Sequence, residues 1–453
     1  MNVHFIAIGG SAMHNLAIAL HLKGYIVTGS DDEIFEPAKG RLAKYKLLPE
    51  QEGWNEARIH EGIDAVILGM HARADNPELL RAQQLGLKIF SYPEFLYEQS
   101  KSKKRVVIGG SHGKTTITAM ILHVLHSNNI DCDYMVGAQL EGFEVMVKLS
   151  DEAPFIILEG DEYLTSPLDK RPKFHVYMPD IALISGIAWD HINVFPTFEN
   201  YVEQFRIFAN LVTDGGALIY CADDKVVTDV CESAKATIEK IPYYLPEFKI
   251  CDGKTYVYDC GSIFPLRVFG DHNLLNLSGA KLVCNKLGVT DEQFYEAIGQ
   301  FRGASKRLEL VDSSDTVSVY KDFAHSPSKL KATTVAVKEQ FPERKLVACL
   351  ELHTFSSLTA EFLKEYKGAM NDADIAIVYF NPHTIAHKKL PPISTEQIKL
   401  SFGREDILIY NNSGKLFSDL QKMEWEYTNL LLMSSGNFDG IDFSELAHQV
   451  IAK

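Results

Sequence analysis

Short apolar runs alternate with helix-length stretches along this whole chain, and that alternation limits what it can fold into more than any other feature. The first hundred residues read "VHFIAIGG", a helix from about Ala12 to Gly24, "YIVTGSD", "DAVILGM", a helix after Asn76-Pro77, and "KIFSY". Such a pattern predicts a parallel sheet with helices on both faces. A polar basic run, "EQSKSKKR" from Glu98 to Arg105, then interrupts it and reads as a solvated linker. The alternation resumes at Val106 with "FIILEGDEY", "IALISGIAWDH", "GALIYCADD" and the helical "GDHNLLNLSGAKLVCNKLG". After "AIGQFRGASKR" a third segment opens on "LELVD" and "VSVYKDFAH" and continues through "KLVACLEL", "IAIVYF", "ILIYN" and "NLLLMSS". A chain of 453 residues has room for about three domains. We therefore expect an α/β protein with boundaries near 102 and 304: a Rossmann-like domain over 1–102, a P-loop domain with a parallel or mixed sheet over 103–304, and a second Rossmann-like domain over 305–453.

Composition removes several classes of function. The net charge of −15 opposes attraction of nucleic acid or anionic lipid, so a phosphate ligand must be held by a local site. Seven cysteines without a C-x-x-C pair argue against a disulfide framework or a zinc site. No apolar run approaches the ~18 residues of a membrane span, and "MNVHFIAIGG" reads as a strand rather than a signal peptide. A cytoplasmic protein is expected.

The local site is "VVIGGSHGKTT". Val106–Gly109 reads as a buried strand and the helix as starting near Gly113. Gly110 and Gly113 let the backbone curl and turn its N–H groups inward, Lys114 adds a positive charge, and the Thr115 hydroxyl can reach a magnesium ion. The helix N-terminus adds its partial positive charge there. The commoner P-loop has a glycine where this chain has Ile108, so the motif is the shorter Gly-x-x-Gly-Lys-Thr-Thr. Two further strand signals end in carboxylates, "IILEGDEY" in Glu159, Asp161 and Glu162, and "LISGIAWDHINVF" in Asp190 and His191. Hard oxygens with an occasional imidazole suit magnesium.

"GGSHGKTT", "EGDEY", "IAWDH", "GDHNLLN", "FRGASKR" and "DFAHSP" resemble, in order and spacing, the ATP-site motifs of the Mur ligases, ATP-dependent amide ligases of the cell-wall pathway. The resemblance implies ATP and Mg2+ as cofactors, and UDP-N-acetylmuramate with an amine as substrates. Gly110, Ser111, His112, Gly113, Lys114, Thr115 and Thr116 would hold the phosphates, with Thr115 and Glu159 on one magnesium and His191 on a second metal. His272 and Asn273 would meet adenine, Arg307 the phosphates and Asp322 the ribose. Gly9, Gly10, Ser11, Ala12 and Met13 would cradle the uridine diphosphate, with Ser30 beside them, and His325 is a candidate base. The family has other residues where this chain has Ala12, Gly186 and Ser326. Lys114, Glu159, His191 and Arg307 are the implied catalytic set.

Within the family, "GDEYLTSPLDKRPKF", "DHINVFPT", "KDFAHSP" and "LLMSSGNFDGI" are most similar to members that add the recycled tripeptide L-alanyl-γ-D-glutamyl-meso-diaminopimelate. Members that add L-alanine come next. In the latter, the strand matching "VACLELHTFSSLT" is followed by a histidine and two arginines suited to a free α-carboxylate. This chain has His353, Thr354, Phe355, Ser356 and Ser357 there, which favours the tripeptide. Lys329, Lys331, Arg344, Lys388 and Lys389 are the candidate cations for its distal carboxylates. Two other classes fit parts of the sequence. A nicotinamide oxidoreductase would use "FIAIGGSAM" as a dinucleotide loop with Asp31 or Asp32 on the ribose, but Ala7 and Ala12 break the Gly-x-Gly-x-x-Gly pattern. A P-loop switch would bind nucleotide without joining substrates.

Overall fold

The computed structural model describes every residue except His71, Glu141, Glu144, residues 190–193, Cys260 and Lys453. Strands β1 (Asn2–Ile6), β2 (Ile26–Ser30), β3 (Ala65–Leu68) and β4 (Ile89–Ser91) form a parallel sheet in the order β2-β1-β3-β4. The helix Ser11–Leu22 follows the first glycine pair. The helix Pro77–Gln84 starts as Asn76-Pro77 requires: the Asn76 side chain accepts from the Glu78 and Leu79 amides, and Pro77 sits where an N–H has no helical partner.

The second sheet has seven strands: β5 (Lys104–Gly109), β6 (Asp133–Met135), β7 (Val147–Lys148), β8 (Phe155–Glu159), β9 (Ile181–Ile184), β10 (Ala217–Cys221) and β11 (Glu239–Tyr243). Their order is β11-β10-β9-β5-β8-β6-β7, and only β7 runs antiparallel to its neighbour. From β5 the chain runs out to β6 and back to β8 on one side, then crosses to β9, β10 and β11 on the other. Such a reversal opens a crevice at the strands' carboxyl ends, the usual ligand position in this kind of sheet.

Strands β12 (Phe248–Cys251), β13 (Lys254–Asp259) and β14 (Ser262–Leu266) make a small antiparallel sheet that the alternation did not announce. The last sheet, β15 (Glu309–Ser313), β16 (Ser318–Asp322), β17 (Lys345–Leu352), β18 (Ile375–Phe380), β19 (Leu408–Tyr410) and β20 (Thr428–Met433), has the order β15-β16-β20-β17-β18-β19, parallel except for β15. The four-, seven- and six-stranded sheets are the centres of a three-domain α/β architecture. The chain packs as two units, residues 1–245 with 275–298 and residues 246–274 with 299–453. The first holds the four- and seven-stranded sheets, the second the other two. No described helix is long and apolar enough to cross a membrane.

The basic run Glu98–Arg105 differs from its expectation as a solvated linker. Lys103 is buried, its ammonium 2.7 Å from an Asp133 carboxylate oxygen and donating to the Ser150 carbonyl. Arg105 is buried too, donating to the carbonyls of Met178, Ser100, Lys101 and Lys103. Each cation is paired or hydrogen-bonded, which is what lets it leave water.

Candidate active site

β5, at the centre of its sheet, ends at Gly109 and feeds a tight turn into the helix Lys114–Ser127. Gly110 and Gly113 have φ of +133° and +77°, the region open to glycine. Space is as short as conformation: a Cβ on Gly110 would stand 2.1 Å from Ser185 Oγ, and one on Gly113 2.3 Å from Asn276 Oδ1. The turn is tied to the end of β9, where Ser185 Oγ donates to the His112 carbonyl and the Ser111 amide donates to the Gly186 carbonyl over 2.9 Å. Thr116 is buried in the first helical turn.

Lys114 is held at the mouth of this turn. Its Nζ lies 2.6 Å from Glu162 Oε2 and donates over 2.6 Å to the Gly110 carbonyl. Burial by itself would lower the Lys114 pKa, but Glu162, Asp161 and Glu159 outweigh it and the net shift is upward, so the lysine stays charged. The neighbouring Asp161 pairs with Lys173 at 2.5 Å, and its carboxyl lies below the usual range: burial opposes this, and Lys173 and Lys114 prevail. Thr115 Oγ1 donates over 2.7 Å to Glu159 Oε1, and the Gly137 amide donates to Glu159 Oε2 at the same distance. A hydroxyl and a carboxylate oxygen so close, with Asp161 and Glu162 on the same strand end, are the hard donors a magnesium ion takes. Asp190 and His191 lie outside the described residues.

Tyr201 was not singled out by any sequence signal, yet it closes the site. Its hydroxyl bonds Ser111 Oγ at 2.9 Å and donates to Glu162 Oε1 at 3.2 Å, joining the glycine turn to the carboxylate that holds Lys114. Asn276, packed against Gly113, closes the quoted motif "GDHNLLN" without having been given a role, and Gly137 reaches Glu159 from a segment that no motif covers.

In the second unit, Asp322 ends β16 and accepts from the amides of Leu308 and Ala324. It thereby clamps the turn that carries Arg307, in which Lys306 and Leu308 have φ of +56° and +45°. Burial pushes the Asp322 carboxyl up to about 6. The Arg307 guanidinium lies 4.7 Å from the centre of the Phe323 ring, and His325 meets the same ring edge-on at 5.1 Å. Phe323, inside the motif "DFAHSP", is thus the support for both. His325 Nδ1 also bonds the Phe323 carbonyl at 2.8 Å. Asn273 is buried and donates to the Phe269 carbonyl, and burial holds the neighbouring His272 down to about 4.

The glycine turn after β1 is separate. Gly10 precedes the helix Ser11–Leu22, with Ser11 and Ala12 exposed and Met13 buried. The Gly9 amide donates over 2.6 Å to Asp31 Oδ2. Ser30 does not face this turn's solvent side: it is buried and donates to Glu78, which also sits 3.3 Å from His4 Nε2 and accepts from the Asn55 amide. Burial raises the Asp31 carboxyl from 3.8 to about 6, with its hydrogen bond from Gly9 working the other way. A carboxyl whose folded pKa is raised contributes stability below its unfolded value and loses it as pH rises through the folded value. Asp31→Asn, which keeps an acceptor for Gly9, is therefore expected to match the parent near pH 4 and to become more stable than it between about pH 4 and pH 6, by up to about 2 kcal/mol. Thermal melting of both proteins across that range checks this, and parallel curves would refute it.

Two family descriptions match the chain: "Mur ligase family, catalytic domain" over residues 2–104 and "Mur ligase middle domain" over residues 108–284. A UDP-N-acetylmuramate–L-alanine ligase of Caldicellulosiruptor bescii is 32% identical over 413 residues, 87% of each chain. The solved structure of a UDP-N-acetylmuramate-alanine ligase from Thermotoga maritima aligns over 100% of this chain and 98% of its own, with a TM-score of 0.70 and 20% identity. A UDP-N-acetylmuramate:L-alanyl-gamma-D-glutamyl-meso-diaminopimelate ligase from Neisseria meningitides aligns over 66% of this chain and 98% of its own, with a TM-score of 0.60 and 26% identity.

Proposed function

Since the chain belongs to the Mur ligase family, whose members are ATP-dependent and ADP-forming, we propose that it joins the lactyl carboxylate of UDP-N-acetylmuramate to the amine of L-alanine. The bacterial relative's name supports L-alanine, and it displaces the tripeptide that the motif comparison put first. The tripeptide stays as a second reading for one reason: His353–Ser357 carries no arginine to grip a free α-carboxylate. The dependence on ATP supports a cytoplasmic reaction.

The observation that carries the proposal is the glycine turn with Lys114 and Glu162 on one side and Thr115 and Glu159 on the other. A carboxylate does not react with an amine at neutral pH because oxide is too poor a leaving group. In the proposed sequence a lactyl carboxylate oxygen attacks the γ-phosphorus, ADP leaves and an acyl phosphate remains. The amine then attacks the acyl carbon, loses a proton, and phosphate departs. The first step sets a carboxylate against a polyanionic nucleotide, and two like charges ~4 Å apart cost about 4 kcal/mol even at an effective dielectric of 20. Lys114 would offset that cost, with the turn's amides oriented on the phosphates. Thr115 and Glu159 would hold magnesium, which when bound supplies further charge neutralisation. By the motif resemblance Arg307 and Asp322 would contact nucleotide, and the turn after β1, with Gly9, Gly10 and Ser11, would take the uridine diphosphate.

A panel of free L-alanine, the dipeptide and the tripeptide, each with ATP, Mg2+ and UDP-N-acetylmuramate, tests both readings when amide product is followed by mass. Phosphate release should require the sugar nucleotide and one acceptor together. Release indifferent to both would leave a nucleotide switch, and the ligase proposal would fall.

A further inference from the structure

A buried carboxylate in the second unit has no lysine or arginine partner among the described residues. Glu351, on the penultimate position of β17, is 2% exposed. Its Oε2 accepts from Ser434 Oγ and, over 2.8 Å, from the Phe438 amide, both just past β20. Among the described residues its basic neighbour is His353, whose Nδ1 lies 3.6 Å from Glu351 Oε1 while the imidazole is 38% exposed. That separation is an ion-pair distance rather than a hydrogen bond, as unliganded proton-transfer pairs often are. The backbone leaves room for the pair: a Cβ on Gly436 would stand 2.8 Å from both Glu351 Oε2 and His353 Nδ1. Ser434 Oγ further accepts from the Gly436 amide over 2.6 Å, fixing the loop above the two side chains.

The acceptor presents a chemical problem that this pair answers. A peptide α-amine has a pKa of about 8, and a free amino acid's is higher, so the acceptor arrives as an ammonium with no lone pair. Within the proposed ligase reaction, we infer that His353 is the base for the acceptor and that Glu351 is its positioning residue. A carboxylate on the Nδ1 side favours the tautomer with the proton on that nitrogen and the lone pair on Nε2. Nε2 takes one proton from the bound ammonium, giving a neutral amine and an imidazolium. Glu351, already fixed by two donors, then faces the new positive charge. No atom other than that proton is transferred.

Hydroxylamine separates this role from a structural one, because it is largely neutral at pH 7 and needs no proton removed before it attacks an acyl phosphate. Wild type, His353→Asn and Glu351→Gln are assayed with ATP, Mg2+ and UDP-N-acetylmuramate, once with the amine acceptor and once with hydroxylamine. His353→Asn should lose about 10²- to 10⁴-fold in kcat for amide formation and form hydroxamate within about twofold of wild type. Glu351→Gln should show a smaller loss with the same selectivity. Equal losses with both nucleophiles, unchanged amide formation, or a raised acceptor KM at constant kcat would each overturn the assignment. A wild type that forms amide but no hydroxamate overturns the acyl phosphate, and with it this role; a wild type that forms neither overturns the ligase proposal itself.

Discussion

Lys114→Ala is expected to lower the rate of ADP formation by about 10²- to 10³-fold or more, the size of effect seen when one fixed charge-stabilising group is removed from a transition state. The loss should fall on kcat, because in the proposed reaction the charge that Lys114 would meet grows as the phosphoryl group moves. A second effect follows from the geometry. Glu162 has a side chain 2% exposed, and Lys114 at 2.6 Å is its cationic partner among the described ion pairs. Removing the lysine takes that cation away from a buried carboxylate, and breaking a buried pair of this kind costs about 3–5 kcal/mol. Lys114→Ala combined with Glu162→Gln should recover much of the stability and none of the activity. Thermal melting read beside coupled ADP release distinguishes the two effects, and near-normal turnover in the single variant would remove Lys114 from the phosphoryl site.

Gly110→Ala should be as severe by a different route. At φ +133° an L-residue is strained whatever surrounds it, and here the added methyl would lie 2.1 Å from Ser185 Oγ and 3.0 Å from the Ser185 amide nitrogen. Ser185 cannot simply turn away, since its hydroxyl donates to the His112 carbonyl that shapes the turn. A loss of about 3 kcal/mol or more in unfolding free energy is expected, together with loss of nucleotide binding. Urea denaturation and titration with a fluorescent ATP analogue measure the two separately. A wild-type denaturation midpoint would show that the turn has another conformation open to it.

Both of these positions are legible in the amino-acid sequence, as are Gly113, Thr115 and the carboxylates at the end of β8, because each is required by its immediate neighbours. A turn between a buried strand and a helix needs glycines at set offsets, and strand ends in parallel sheets are where polar groups collect. The helix start at Pro77 is legible for the same reason, as Asn76 caps it from the preceding position. Tyr201 is not: it sits on an amphipathic helix whose apolar face looks like any other, and its hydroxyl finds Ser111 and Glu162 only after β5, β8 and that helix have packed. Lys103 misleads because a lysine among lysines and serines reads as solvated, and its partner Asp133 lies beyond an entire helix. The pairing of Glu351 with His353 is partly visible at a spacing of two, but Ser434, Gly436 and Phe438 follow β20, which is inserted between β16 and β17.

The amino-acid order by itself determined the alternation of strands and helices, the glycine turn before Lys114 and the family, since all three rest on interactions between residues close in the chain or on motifs kept in order. Tertiary structure alone decided which buried charges meet, which hydroxyl closes the glycine turn and which glycine makes room for the imidazole beside Glu351. Those contacts join segments tens of residues apart, and a polar group's partner at such a separation is set by strand order and register, which local propensity does not encode.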